Sequence, residues 1–149
     1  MQVVTPASPG ESAGPDELHS KILSAARRLR DRVGLSFVWE LAAAYLGDAP
    51  RTARSLRALR AAGRPREFAR LAHSLKGNSR MFGLDSIEEI CATLEQAGKT
   101  STLGIIEPLL DVLDAELAAA CVAVERCCFT NLRSPAPQKR TGTGANKKS

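Results

Sequence analysis

Aromatic residues are scarce in this chain: one Trp, one Tyr and four Phe among 149 residues. Most fall at apolar-stripe positions, so the exposed rings on which single-stranded nucleic acid stacks are missing. No apolar run approaches the roughly 18–20 residues that cross a bilayer, so no membrane association is expected. The amino-terminal stretch MQVVTPASPGESAGPDE has neither a basic n-region nor an apolar h-region. It does not read as a secretory signal, and the cytoplasm is the expected compartment. No glycine-rich nucleotide loop is present, which argues against an ATP-using kinase. The four cysteines, Cys91, Cys121, Cys127 and Cys128, form no CxxC pair and no cluster with other ligand types. Neither a metal site nor a cofactor is expected, and Cys91 and Cys121 read as small core residues.

What is present points to one helical domain. With 44% hydrophobic residues in 149, the chain can bury a single core. Residues 1–16 and 133–149 are rich in Pro, Gly and Ser or in basic residues, and are expected to be disordered. Between them, residues 17–132 carry apolar residues at helical spacing with almost no β-branched alternation. A first helix is predicted over 17–32 with Asp16 as N-cap, and a second from Leu35 to about 47. Asp48 and Pro50 then suit the start of a third helix ending at Gly63. Pro65 opens a fourth, which ends near Gly83. Asp85 or Ser86 caps a fifth that ends at Gly98, and a last long helix runs from Gly104 to about Cys128. Pro108 is tolerable only near its start. Short connections favour antiparallel neighbours, hence an all-α, up-and-down bundle.

Charge is unevenly placed. Residues 1–80 hold 14 Lys/Arg against 7 Asp/Glu, whereas residues 81–132 hold 2 against 9. Arg51, Arg54, Arg57, Arg60, Arg64, Arg66 and Arg70 form a basic series suited to an acidic surface. Without stacking aromatics, an acidic pocket on a protein fits that series better than nucleic acid does.

The run HSLKGNSRMFG, residues 73–83, concentrates the chemistry. At about 100° per residue, Arg66, Ala69, Arg70, Lys76, Gly77 and Arg80 lie within roughly 60° of His73. Phe68, Leu71, Leu75 and Phe82 lie on the opposite side, so His73 is expected to face solvent among cations. Glycine costs about 1 kcal/mol against Ala in a helix interior, so Gly77 calls for a reason such as close approach of a partner. A neutral imidazole so placed suits reversible phosphorylation.

His73, Lys76, Gly77, Ser79 and Gly83 resemble the signature of histidine-containing phosphotransfer (HPt) domains, HxxKG followed by small residues and a second glycine. Asn78 departs from the small residue usual there, and Leu84 from the common Ala. The resemblance extends over about residues 18–128 and includes the Asp48-Ala49-Pro50 junction. It implies four central helices plus an N-terminal helix, with the histidine exposed. It also implies that Glu95, on the following helix, accepts from the imidazole Nδ1; Gln96 and Lys99 are next if the register differs.

In the function so implied, His73 accepts a phosphoryl group and exchanges it with the aspartate of response-regulator receiver domains. Lys76 and Arg80 would stabilise phosphate oxygens, and Gly77, Arg66 and Arg70 would admit the receiver. Its partners would be those receivers, which carry Mg²⁺, and a sensor or hybrid histidine kinase. A monomer suffices for this, and His19 is expected to be dispensable. The alternative is a helical adaptor or nucleic-acid-binding bundle in which His73 is incidental.

Overall fold

The computed structural model describes residues 14–132. Five α-helices follow in order: α1 (Pro15–Val33), α2 (Leu35–Ala61), α3 (Pro65–Met81), α4 (Asp85–Lys99) and α5 (Glu107–Arg126). A 3-10 turn, Leu103–Ile105, precedes α5, and a π-helical turn, Cys127–Asn131, follows it. Helices α2 to α5 form an antiparallel four-helix bundle, with α3 and α4 in the most extensive contact. Helix α1 lies across α2, α5 and the π turn. The fully buried side chains Ile22, Leu56, Phe68, Phe82, Leu94 and Leu113 mark the shared core.

Two predicted helices prove to be one. Helix α2 runs unbroken through Pro50, and Asp48 is an exposed interior residue rather than a cap. An interior proline costs about 3 kcal/mol because its N–H is missing and its ring crowds the preceding turn. Here Pro50 sits on the exposed face, where water can serve the orphaned carbonyl, and the buried stripe continues past it. Val38, Ala42, Tyr45, Ala49, Ala53 and Leu56 keep one face inward across the junction. Burying Leu56 alone contributes about 2–3 kcal/mol, so packing over the whole length offsets the proline.

Smaller differences follow the same logic. Helix α1 starts at Pro15 with Gly14 as N-cap, so Asp16 lies in its first turn instead of capping it. The remaining residues of the two segments expected to be disordered, 1–13 and 133–149, lie outside the described residues. The predicted end at Gly98 is also overturned: α4 continues to Lys99, and Gly98 is a buried helical residue. Gly83 does end its helix, at φ +71°, and a Cβ there would meet the Lys21 carbonyl oxygen at 3.1 Å. The second glycine of the motif thus lets α1 dock on the α3–α4 corner, where Lys21 also bonds Asp85 at 2.7 Å.

All four cysteines are free. Burial pushes the Cys127 thiol up to about 11 and those of Cys91 and Cys128 to about 12. They are therefore protonated and unreactive at neutral pH. Among the described residues, no helix is long and apolar enough to cross a membrane.

Candidate functional site

Helix α3 turns Phe68, Ala72, Leu75 and Ser79 into the core. That leaves His73 on the outer face with its side chain 66% exposed. Helix α4 buries Ile87, Ile90 and Leu94, and the next residue, Glu95, falls at the edge facing α3. The antiparallel return brings Glu95 Oε2 to 3.0 Å from His73 Nδ1.

Glu95 is the hub of the site. Its side chain is only 10% exposed. Lys76 Nζ donates to Oε1 at 2.7 Å, while Lys99 Nζ lies 3.2 Å from Oε2. The Lys76 hydrogen bond is the main cause holding the carboxyl well below its usual range, at about 2. Burial opposes this, and the Lys99 and His73 bonds reinforce it. A carboxylate can only accept, so Nδ1 carries the hydrogen, and in the neutral ring Nε2 holds the lone pair. An exposed nitrogen nucleophile is thereby left pointing away from its support.

The other residues singled out from the sequence fall into distinct settings. Lys76, placed on the His73 side of the helix by its angular position, is only 21% exposed and tied to Glu95. Arg80, 65% exposed, donates through Nε to Glu88 at 2.6 Å and is not brought to Glu95. Gly77 is open, since a Cβ there would find nothing within 4 Å. Arg66 and Arg70 line an open cavity of about 600 Å³ with His73, Glu95, Lys99 and Ser101. Neither arginine forms an ion pair among the described residues.

Much of the basic series is neutralised within the bundle. Arg57 reaches Glu107, Asp111 and Asp114 on α5, and Arg60 reaches Glu107. Arg64 pairs with Glu67 and Arg51 with Asp48. His19, on α1, places its Nδ1 3.4 Å from the Cys127 sulfur in the contact between α1 and the π turn. Ala69, expected beside His73 on the solvent side, is buried against α4. Asn78, which departs from the small residue of the HPt signature, is exposed.

Two features went unread in the sequence. The Ser79 hydroxyl is completely buried and bonds the Tyr45 hydroxyl at 2.8 Å, while the Tyr45 ring packs on Phe82 with centroids 5.7 Å apart. No local pattern links residues 34 apart. The other is Lys99 as a partner of Glu95, for which a signal existed: the two are four apart on one helix.

A family model described as Hpt domain matches residues 40–123. No curated protein and no solved structure matches the chain at a significant level. The matched stretch takes in most of α2, all of α3 and α4 and most of α5, and so contains His73, Lys76, Gly77 and Glu95. With more than half of its length matched and the four-helix bundle in place, the chain belongs to the Hpt domain family, whose members are histidine phosphotransfer carriers of phosphorelays.

Proposed function

We propose that the chain carries a phosphoryl group on His73 and exchanges it with the aspartate of response-regulator receiver domains. The observation that carries this reading is the exposed imidazole whose Nδ1 is held at 3.0 Å by an ionised carboxylate. In the forward step the Nε2 lone pair attacks the phosphorus of an aspartyl phosphate. An N–P bond forms, the P–O bond to the aspartate breaks, and that oxygen leaves as a free carboxylate. The ring keeps its Nδ1 hydrogen and gains positive charge, which Glu95 stabilises. Return of the phosphoryl group to a second aspartate reverses each change.

Phosphoryl transfer depends chiefly on positioning and on charge stabilisation around the moving oxygens. Lys76, one turn from His73 on α3 and anchored by Glu95, is the chain's own cation for this task. Arg80, one turn further on, assists. The receiver supplies the aspartate and Mg²⁺, and docks over Gly77 and the cavity bearing Arg66 and Arg70. The chain itself needs no cofactor and works as a monomer in the cytoplasm, loaded through a sensor or hybrid kinase. The adaptor or nucleic-acid reading loses support, because Arg57 and Arg60 of the basic series are bound to α5.

The test is phosphorylation by a phosphorylated receiver. His73→Gln is expected to keep the helical circular dichroism and to lose all acid-labile phosphate, whereas His19→Gln keeps labelling. Undiminished labelling of the His73→Gln protein would refute the assignment.

A further inference from the structure

We propose that Gly98 is a positioning residue for His73: its missing side chain lets α4 approach α3 closely enough for Glu95 to hold the imidazole. The inference rests on the reading of His73 as the phosphoacceptor.

Gly98 lies inside α4, three residues after Glu95, and is buried. Among the described residues, the glycines of positive φ are Gly34, Gly63 and Gly83. Conformational freedom is therefore not what selects glycine at 98, and glycine weakens a helix interior relative to alanine. Contact with α3 is the compensating feature. A Cβ at 98 would stand 2.8 Å from the Ala69 Cβ, 2.8 Å from the Pro65 carbonyl oxygen and 2.9 Å from the Ala69 backbone nitrogen. Two of these three are backbone atoms in the first turns of α3, which cannot rotate aside. Any side chain at 98 must push the helices apart.

The place of this crossing gives it a consequence. Ala69 precedes His73 by one turn of α3, and Gly98 follows Glu95 by one turn of α4. Because the helices are antiparallel, their close contact lies one turn from the 3.0 Å bond between Glu95 and His73. Gly98 also lines the cavity that His73, Arg66 and Arg70 border. Widening the crossing lifts Glu95 away from both His73 and Lys76, which share α3. The link between Arg80 and Glu88, toward the other end of the helix pair, is least affected. Gly77, where a Cβ would meet nothing within 4 Å, has no comparable effect on the helix spacing.

The test compares Gly98→Ala, Glu95→Ala and the double variant. Imidazole ¹⁵N spectra of the unphosphorylated protein report which ring nitrogen carries the hydrogen, whether or not His73 is ever phosphorylated. Gly98→Ala is expected to retain its helical circular dichroism and to move the hydrogen from Nδ1 toward Nε2. Phosphotransfer from a receiver should slow by about ten- to a hundredfold, as sub-ångström to ångström misplacement does. In the double variant the second substitution should add little, because both act on one contact. A wild-type imidazole spectrum in Gly98→Ala, or losses that add in the double variant, would overturn the proposal. If Gly98→Ala does not fold, Ala69→Ser thickens the same crossing by one oxygen atom. It should then show the same spectral change to a smaller degree, and a wild-type spectrum there would equally overturn it. Labelling that survives in His73→Gln would instead defeat the phosphoacceptor reading and leave the spectral result on Gly98 intact.

Discussion

Replacing Glu95 with alanine removes the acceptor shared by His73 Nδ1, Lys76 and Lys99. A free neutral imidazole prefers its hydrogen on Nε2, so the nucleophilic nitrogen becomes the protonated one. The positive charge that the ring gains on phosphorylation also loses its counterion. Hydrogen bonds to charged groups contribute about 1.5–3 kcal/mol. At 1.36 kcal/mol per decade, transfer from a phosphorylated receiver should slow by about ten- to 150-fold. Glu95→Gln keeps an acceptor without the charge and should fall between the two. Stability carries a second signature. The Glu95 carboxyl is held at about 2 against an ordinary value of 4.5. A lowered carboxyl contributes stability above its unfolded value and loses it as the pH falls through the folded one. The contribution, on the order of 1–3 kcal/mol after solvent screening, is therefore present at pH 7 and disappears between about pH 4.5 and 2. Rapid-quench measurement of acid-labile phosphate reads the first effect, and urea melts at pH 7 and pH 3 read the second. A Glu95→Ala protein that exchanges phosphate at the wild-type rate would refute the reasoning.

Lys76→Ala should slow transfer by very roughly ten- to a hundredfold. It should also cost about 1 kcal/mol in a denaturant melt, because the buried Glu95 loses its closest cation. Gly77→Gln should fold at least as well as wild type, gaining up to about 0.8 kcal/mol in helix propensity, yet lose exchange with receivers in a phosphotransfer assay. Wild-type exchange by that variant would remove Gly77 from the docking face. Tyr45→Phe leaves the buried Ser79 hydroxyl without its partner and should destabilise the fold by about 1–3 kcal/mol in thermal melts. The Tyr45→Phe/Ser79→Ala pair should recover most of that loss, and purely additive losses would contradict the inferred coupling.

The outward direction of His73 was readable because Phe68, Leu75 and Phe82 define a buried face on its own helix. Helix ends at Gly34, Gly63 and Gly83 were readable for a similar reason, since the backbone itself turns to positive φ there. Pro50 misled because a local breaking tendency was outweighed by a buried stripe that continues past it. Lys76 misled in another way: its angular position on α3 is solvent-side, but α4 supplies a carboxylate that draws it down.

Amphipathic period, turn glycines and the HxxKG run therefore determined that this is a helical bundle presenting His73. Those signals are properties of single helices, repeated every 3.6 residues and legible within a short window. The family resemblance anticipated Glu95 beside His73; only the tertiary structure decided that the same carboxylate also takes Lys76, that Ser79 answers Tyr45, and that Arg57 belongs to α5. Such pairings depend on the rotation and spacing of neighbouring helices. All the buried faces acting together set these, down to the contact between α3 and α4 that has no room for a Cβ at Gly98.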